Sequence, residues 1–389
     1  MNLAANFTII DHLHEHVRTK PDALAFCFLS DLEAVPQDLS YSQLLADATA
    51  VADFLKSRAE VGSRIMLFFP PGLAYLRAFY GCLLAGMVAV PLYPPRRNVK
   101  SDRIINVAQS CEAVIALTTE SELANVQAAW LEQNTLGLSL TFHASDKISN
   151  DHIEPALAAT SASVLPSADA PAFLQYTSGS TGTPKGVIVT HANILANSHH
   201  LMAISSACAG DVFVNWVPAF HDLGLVTAVL LPVVLGNTTV LMAPASFVRD
   251  PAMWLKAISR YKGSLCGAPN FAFDLCTDKI DDVDLEGLDL SSWRVAYNAA
   301  EPVRADTLQR FSQRFAAVGF RPEAFFPSYG LAETTLAISG SDWDALPTVL
   351  TVDKQALGER RIARLSDGDA AGTQLVACGT TPAPHALRI

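Results

Sequence analysis

The sequence YTSGSTGTPKGV fills residues 176–187, between an apolar run at residues 172–174 and a strand-like run at residues 187–189. Its glycines let the backbone turn successive N–H groups toward an anion, its hydroxyls can donate further hydrogen bonds, and Lys185 adds a point charge. The pattern is not a Walker A motif, because Pro184 stands where GxxxxGK requires its second glycine. The stretch therefore predicts a polyphosphate-binding loop, and a plain surface turn rich in Gly, Ser and Thr is the alternative.

The decapeptide TSGSTGTPKG at residues 177–186 resembles the signature phosphate loop of the adenylate-forming superfamily, which includes acyl-CoA synthetases, peptide-synthetase adenylation domains and luciferases. The resemblance implies the α/β fold of the N-terminal domain of these enzymes. In that fold, two mostly parallel sheets are covered by helices, and the start of a β-rich subdomain follows. ATP and Mg²⁺ are the implied cofactors, with Thr181 as one Mg²⁺ ligand. The loop residues that the resemblance assigns to ATP are Thr177, Ser178, Gly179, Ser180, Thr181, Gly182 and Lys185.

Three further motifs follow in the order that the superfamily uses. WVPAFHDLGL (residues 216–225) resembles the motif at the carboxylate end of the acid pocket, YNAAEPV (residues 297–303) resembles the adenine-contacting segment, and PSYGLAETT (residues 327–335) resembles the motif around the α-phosphate. The implied acyl-binding residues are Phe220, His221, Gly224 and Phe271. The remaining implied ATP-binding residues are Asn298, Ala299, Ala300, Glu301, Ser328, Tyr329, Gly330 and Thr334.

Each motif residue with a specific role also has an ordinary structural explanation. By resemblance, Tyr329 stacks on adenine, Thr334 donates to the α-phosphate and Glu333 binds Mg²⁺. His221 lies by the reacting carboxylate and orients it, so that His221, Lys185 and Glu333 are the predicted catalytic residues. Taken alone, Glu333 is a solvated carboxylate at a helix start, Tyr329 a core residue and His221 a capping or packing residue. Their occurrence together in the superfamily's order favours the functional interpretation.

The identities of the acid and of the acyl acceptor are inferred from finer resemblances. Residues 66–95 and the HDLGL, AEPV and YGLAET variants are more similar to fatty acyl-AMP ligases than to acyl-CoA synthetases. An amino-acid substrate is disfavoured, because FHDLG does not fit the pattern of amino-acid-activating domains, although Asp222 leaves it open. Residues 346–375 are a candidate for the extra segment of the ligases, and a solvated surface excursion is the alternative. The cations of this segment are Lys354, Arg360, Arg361 and Arg364.

These resemblances imply an enzyme that activates a fatty acid with ATP as its acyl-adenylate, with release of pyrophosphate. The acyl group then passes to an acyl carrier protein or to a carrier domain of a polyketide or peptide synthase. The alternatives are an acyl-CoA synthetase and a nucleotide- or acyl-binding module without turnover. The sequence stops before the superfamily's ribose-binding Asp motif and its C-terminal domain with a catalytic Lys. We therefore expect weakened or absent adenylation and no transfer step.

Composition narrows the class of protein. With 389 residues, 50% of them hydrophobic and 17% charged, the chain suits a large α/β protein of two or more subdomains. Its 27 Lys and Arg against 38 Asp and Glu argue against nucleic acid as a partner, so a polyphosphate site must be local. Seven scattered cysteines without CxxC spacing predict reduced thiols, no zinc site and a cytoplasmic location. No apolar stretch is long enough to span a bilayer, and we expect a monomer.

Periodicity and composition shifts give the expected organisation. The composition changes at residues 150–170 and 339–344 predict three subdomains, which are residues 1–170, residues 171–340 with the ATP and acyl sites, and residues 341–389, an incomplete β-rich part. Nearly continuous apolar runs predict buried strands at residues 64–69, 113–117, 212–217 and 238–243. Apolar residues at helical spacing predict helices within residues 41–56 and 308–318, and another that starts at Asp250-Pro251.

Overall fold

The computed structural model describes residues 7–32, 34–95, 103–148, 166–177 and 184–382. The chain forms two compact units, and each unit is discontinuous in sequence. The first unit comprises Met1–Phe28, Pro36–Ala196 and Pro218–Gly236. The second unit comprises Leu29–Val35, Asn197–Val217 and Asn237–Ile389.

The first unit is an α/β structure built on a mostly parallel sheet. Its strands are β1 (Leu24–Leu29), β2 (Gln37–Ser40), β3 (Arg64–Phe68), β4 (Val88–Leu92), β5 (Ile115–Thr118), β6 (Thr141–Ala144), β7 (Pro171–Thr177) and β8 (Lys185–Thr190). Its helices are α1 (Ile9–Thr19), α2 (Tyr41–Lys56), α3 (Leu73–Leu84), α4 (Arg103–Cys111), α5 (Glu120–Gln133) and the start of α6 (His191–Ser205). Six strands form one sheet in the order β6-β5-β3-β4-β7-β8, and β8 alone runs antiparallel to its neighbour.

Local sequence explains why helix α2 begins and packs as it does. Ser40 and Gln43 form a capping box, in which the Ser40 hydroxyl accepts from the Gln43 amide at 3.2 Å and the Gln43 side chain accepts from the Ser40 amide at 2.9 Å. The helix packs against α3 at Gly81, where an added Cβ would lie 2.6 Å from Val51. The predicted helix at residues 41–56 is confirmed, and its apolar stripe faces the core.

The last helical stretch of the first unit is irregular. Helix α7 (Asp222–Leu225) continues into a π-helical turn (Val226–Leu230) and then into α8 (Leu231–Leu235). Gly236 ends this stretch in the left-handed region, with φ at 73°. Single π-helical turns are rare in proteins and often lie at functional sites.

The second unit also has a mostly parallel sheet, in the order β14-β13-β12-β11-β9-β10 with β14 antiparallel. Its strands are β9 (Val212–Asn215), β10 (Thr238–Met242), β11 (Leu265–Ala268), β12 (Val295–Asn298), β13 (Phe325–Gly330), β14 (Ala337–Gly340), β15 (Val349–Asp353) and β16 (Gly372–Val376). Its helices are the rest of α6, α9 (Pro244–Arg249), α10 (Ala252–Tyr261), α11 (Asn270–Lys279), α12 (Ala305–Phe315) and α13 (Lys354–Gly358). Strands β15 and β16 form a separate antiparallel pair.

An aromatic core supports the second sheet. Trp254, Trp293, Phe273 and Phe311 are fully buried, and the ring centres of Trp254 and Trp293 lie 5.1 Å apart in an edge-to-face contact. Edge-to-face pairs of this kind add specific geometry to the burial of apolar surface. This aromatic core therefore supports the strands of the second sheet.

An ion pair between the buried Asp211 and the partly buried Arg294 lies in the same unit. Arg294 donates to both oxygens of Asp211, at 3.2 and 2.6 Å, and also to the carbonyls of Ser205 and Ser206. Asp211 further accepts from the hydroxyl of Ser264 at 2.8 Å. The attraction within the pair offsets the cost of removing its charges from water only while every partner is present.

The mixed α/β fold with two largely parallel sheets is confirmed, and so are the four predicted strands, within two residues at each end. The helix predicted from Asp250-Pro251 begins at Ala252, whose amide donates to the Asp250 side chain at 3.1 Å. The subdomain boundaries stay a prediction. The two units divide the chain differently, because β7 and β8 pair into the first sheet. Among the described residues, no helix has the length and apolar character that a membrane crossing requires.

Candidate functional site

The two ends of the predicted phosphate loop are fixed by a strand pair in the first unit. Thr177 at the end of β7 lies opposite Lys185 at the start of β8, and Tyr176 lies opposite Gly186. A Cβ on Gly186 would meet the Tyr176 ring at 2.8 Å, so this position requires glycine. The Lys185 side chain is exposed, which leaves its ammonium accessible to an anion. The other predicted loop residues lie outside the described part of the chain, namely Ser178, Gly179, Ser180, Thr181 and Gly182.

His221 occupies the N-cap position of helix α7 and is paired with the next residue. Its Nδ1 lies 2.7 Å from Oδ1 of Asp222 and 3.3 Å from the amide nitrogen of Leu223. A carboxylate oxygen can only accept, so Nδ1 carries the hydrogen and the Leu223 amide donates to Asp222 instead, at 2.7 Å. The hydrogen bond that Nδ1 donates to Asp222 raises the pKa of His221, which favours the imidazolium form.

His221 lies at the N-cap position of helix α7, and its ring can also contact a substrate. With Nδ1 oriented by Asp222, Nε2 is the ring nitrogen that can meet a substrate. About half of the side-chain surface is exposed, at 51%. A half-exposed, easily protonated imidazole suits contact with a carboxylate. Gly224, the other predicted residue of this helix, is buried, as the following π-helical turn requires close packing.

Phe220, a predicted acyl-binding residue, borders a cavity of about 390 Å³ within the first unit. Its ring meets the edge of Tyr93 at 5.5 Å between centres, and its carbonyl accepts from the side chain of Gln175 at 2.8 Å. The remaining residues that line the cavity are Pro91, Leu92, Pro94, Pro95, Arg103, Ile104, Gln133 and Tyr176. The lining is mostly apolar with one cation, which is a surface that an amphipathic ligand can fill.

In the second unit, the predicted adenine and phosphate motifs follow neighbouring parallel strands. Strand β11 pairs with β12 so that Ala268 lies opposite Asn298, and β12 pairs with β13 so that Asn298 lies opposite Pro327. The segments after these strands therefore leave the sheet at the same edge. Ligands of open α/β sheets bind at the carboxyl ends of the strands. The fold thus brings residues 298–301 and residues 328–330 together.

Asn298 is fully buried at this edge and takes part in a polar network. Its Nδ2 donates to Oδ1 of Asn270 at 3.2 Å, while Asn270 donates to the hydroxyl of Thr307 at 2.9 Å and accepts from the amide of Arg304 at 3.0 Å. Oδ1 of Asn298 finds no hydrogen-bond donor among the residues that the structure describes. A buried acceptor without a partner is costly, so this atom can accept from a ligand. Asn270 was not predicted, although a polar residue two positions after an apolar strand was a usable signal.

Glu301 has a structural partner. Its Oε1 accepts from the backbone amide of Phe271 at 2.6 Å, in the first turn of helix α11, where free N–H groups favour an acceptor. Ala300 adopts the left-handed region with φ at 68°, and Ala299 is buried. Phe271 is 45% exposed, and its ring contacts the edge of Trp216, which stacks on Phe247 at 4.0 Å. The predicted acyl residue Phe271 therefore presents an apolar surface supported by a buried aromatic stack.

Tyr329 is 47% exposed, so its ring is available for stacking and it is not a core residue. Gly330 follows where a side chain cannot fit, because a Cβ would lie 2.0 Å from the carbonyl oxygen of Leu336. The turn after Gly330 is closed by the Leu331 amide, which donates to the same Leu336 oxygen at 2.8 Å. Ser328, before Tyr329, is half-buried and lies opposite Gly340 on β14.

Thr334 and Glu333 lie on the 3₁₀ turn Ala332–Thr334. The Thr334 hydroxyl lies within hydrogen-bond distance of two carbonyls, those of Leu331 and Leu336, so it must rotate before it can donate to a phosphate. Asn197 braces the turn, with Nδ2 donating to the carbonyl of Thr334 at 3.1 Å. The Glu333 side chain is exposed.

The donor set is compatible with Mg²⁺ bound together with a nucleotide. Within the described ranges no group of three or more His, Cys, Asp or Glu side chains forms a ready-made metal site. Mg²⁺ commonly uses one or two carboxylates, with waters and substrate phosphates completing its shell. The single exposed carboxylate of Glu333 fits that manner of binding, whereas Thr181 lies outside the described residues.

Comparisons with known proteins agree with these observations. The sequence profile described as AMP-binding enzyme matches residues 13–359. The medium-chain-fatty-acid–[acyl-carrier-protein] ligase TtuA of Teredinibacter turnerae is 33% identical over 96% of the chain and 63% of its own length. The long-chain-fatty-acid–AMP ligase FadD26 of Mycobacterium marinum is 36% identical over 97% of the chain and 65% of its own length.

A solved structure of a fatty acyl-adenylate ligase from L. pneumophila, in complex with acyl adenylate and pyrophosphate, superposes with a TM-score of 0.85. The two chains are 35% identical, and the match covers 96% of this chain and 64% of the ligase chain. The chain thus spans just under two thirds of the length of the relatives that it matches.

Proposed function

The chain belongs to the AMP-binding enzyme family, and from that premise we propose that it activates a fatty acid with ATP to give an acyl-adenylate and pyrophosphate. The observation that carries the proposal is the placement of residues 298–301 and residues 328–330 at one edge of adjacent parallel strands. The likeness to a ligase solved with acyl adenylate and pyrophosphate supports it. The second candidate, a binding module without turnover, shares this site and differs only in catalysis.

In the first unit, the proposal gives one role to Lys185 and another to His221. A carboxylate oxygen of the acid attacks the α-phosphorus, the new P–O bond forms, and pyrophosphate leaves with the electrons of the broken bond. Both reactants are anions, so the ammonium of Lys185 screens the polyphosphate. Because Asp222 accepts from Nδ1 and raises the pKa of the His221 ring, Nε2 also carries a proton, which it donates to the acid's carboxylate to orient it. The residues do no covalent work in this step.

In the second unit, the proposal assigns nucleotide recognition. The exposed Tyr329 ring stacks on adenine, and the unpaired Oδ1 of Asn298 accepts a hydrogen bond from the ligand. Thr334 donates to the α-phosphate after rotation of its hydroxyl. Glu333 binds Mg²⁺, which supplies positive charge to the phosphate oxygens when it is bound.

We assign the acyl acceptor as an acyl carrier protein. Similarity to relatives such as TtuA, an acyl-carrier-protein ligase, supports this choice over coenzyme A. The segment at residues 346–375, our candidate for the extra segment of fatty acyl-AMP ligases, forms β15, α13 and most of β16. Its four cations are exposed, which is compatible with contact to an anionic partner, and they are Lys354, Arg360, Arg361 and Arg364. The seven cysteines form no disulfide, which supports a cytoplasmic location, and a monomer is sufficient for the chemistry.

The decisive experiment is acid-dependent exchange of labelled pyrophosphate into ATP, with a panel of fatty acids of different chain lengths. We expect exchange that requires a fatty acid, and its absence with every acid would leave only the binding module. Offering coenzyme A and a phosphopantetheinylated carrier protein to a longer form of the chain, extended by the superfamily's C-terminal domain, then separates the two acceptors. Rapid thioester formation with coenzyme A would overturn our choice.

Calorimetry with a non-hydrolysable acyl-adenylate mimic tests the residues. We expect Lys185→Ala and Glu333→Ala each to weaken binding about tenfold or more, because each removes a charge-assisted contact of about 1.5–3 kcal/mol. The matched controls Lys56→Ala and Glu286→Ala remove exposed charges outside the motifs and should bind as the unmodified chain does. Equal affinities in all four variants would refute the assigned site.

A further inference from the structure

Two side chains donate to consecutive backbone carbonyls just before His221. The hydroxyl of Tyr75 donates to the carbonyl of Ala219 at 3.1 Å, and Nε2 of Gln175 donates to the carbonyl of Phe220 at 2.8 Å. Both donors are buried, with 7% and 5% of their surface exposed. The turn that precedes His221 is thus attached to the body of the first unit through its main chain.

Gln175 links this turn to the strand that leads into the phosphate loop. It lies on β7 two residues before Thr177, and residues two apart on a strand share a face. The orientation of its amide follows from chemistry, because only the NH₂ group can donate to the Phe220 carbonyl. Its Oε1 finds no hydrogen-bond donor within the described residues, so the Phe220 carbonyl accounts for the side chain's only recorded hydrogen bond.

Tyr75 reaches the same turn from helix α3. Burial raises the pKa of Tyr75 well above its ordinary value, so its hydroxyl stays protonated and remains a donor. On the same helix, the buried Tyr80 makes an equivalent bond to the carbonyl of Val229 at 2.8 Å, which lies eight residues beyond His221. The two tyrosines therefore offer the same chemistry at two distances from the site.

We propose that Gln175 and Tyr75 are positioning residues, which fix the turn at residues 218–221 and thereby place the His221 ring relative to Thr177 at the start of the phosphate loop. Neither side chain touches the reacting atoms in this proposal. They act through His221, because an error of about 1 Å in the placement of a catalytic group can cost about 100-fold in rate. The expected effect on the exchange rate rests on the proposed function, whereas the placement of the His221 ring by these residues does not.

Three variants of the full chain separate positioning from general stability. Gln175→Met keeps the length of the side chain and deletes the donor, whereas Tyr75→Phe deletes one hydroxyl. Tyr80→Phe is the matched control, since it deletes the same group from the same helix. We expect the first two to lower kcat for acid-dependent pyrophosphate exchange about five- to tenfold, as the loss of one hydrogen bond of about 1 kcal/mol implies, with KM for ATP unchanged.

The second readout is the NMR signal of the His221 ring, identified by its loss in His221→Asn. We expect it to move in Gln175→Met and Tyr75→Phe and to stay in place in Tyr80→Phe. If it stays in place in both test variants, or moves equally in the control, the proposal is wrong. If the unmodified chain shows no acid-dependent exchange, the proposed function fails, and the His221 signal alone then decides whether the two residues position the ring.

Discussion

Replacing Gly330 with alanine tests whether the turn that carries Glu333 and Thr334 has to keep its geometry. The added Cβ would lie 2.0 Å from the carbonyl oxygen of Leu336 and 2.7 Å from its carbonyl carbon. Both atoms belong to the backbone, so no side-chain rotation can relieve the collision. The oxygen must move by more than about 1 Å to reach an ordinary van der Waals distance. That shift breaks its bond with the Leu331 amide.

Two magnitudes follow for Gly330→Ala. Overpacking of this kind costs about 1–3 kcal/mol in the free energy of unfolding, which urea denaturation measures. A displaced Glu333 and Thr334 lose charge-assisted contacts of about 1.5–3 kcal/mol, so the acyl-adenylate mimic should bind about 10- to 100-fold more weakly in calorimetry. Gly358→Ala is the matched control, because nothing lies within 4 Å of its Cβ. Mimic affinity within twofold of the unmodified chain in Gly330→Ala would refute the reasoning.

Two further perturbations test the electrostatics. Asp222→Asn should lower the pKa of His221 in an NMR titration, because the substitution removes the carboxylate that raises this pKa. The unmodified chain should lose some stability as the pH rises from below 6.5 through the raised pKa of His221. The variant should lack this pH-dependent part of the stability. An unchanged pKa would contradict the pairing. Arg294→Met should destabilise the chain by about 1–3 kcal/mol in urea, because the buried Asp211 loses its partly buried cation. Arg18→Met at an exposed pair should leave the midpoint unchanged. Equal midpoints for the two would refute the assignment.

Local patterns predicted the elements of the fold better than their arrangement. The capping box at Ser40 and the apolar stripe after it define helix α2, whose bounds follow from residues four or fewer apart. The place of β7 could not be obtained that way. It pairs with β4, some eighty residues earlier, and a sheet's strand order is a non-local property that one sequence does not encode in any short window.

In the candidate site too, local sequence predicted some features, whereas others depend on contacts that form only on folding. Motif resemblance singled out His221, Tyr329 and Glu333 as candidates, because the roles proposed for them depend on residue type and order. It did not locate Gln175 or Asn270, whose importance depends on which carbonyl or side chain lies opposite them after folding. In the sequence, Gln175 is a polar residue within an apolar strand, and Asn270 is a polar residue two positions after one. Such residues usually need a specific hydrogen-bond partner, but the sequence does not say which one.

The interleaving of the two units has a consequence for how the chain is made. Synthesis proceeds at about 5–20 residues per second, and the first unit lacks Pro218–Gly236 until residue 236 has left the ribosome. Until then, the donors of Tyr75, Gln175 and Tyr80 have no carbonyl to meet in that segment. A nascent chain released at residue 200, or a gene fragment cut at residue 170, would therefore end with an unfinished first unit. Expression of either unit alone requires a rearranged gene.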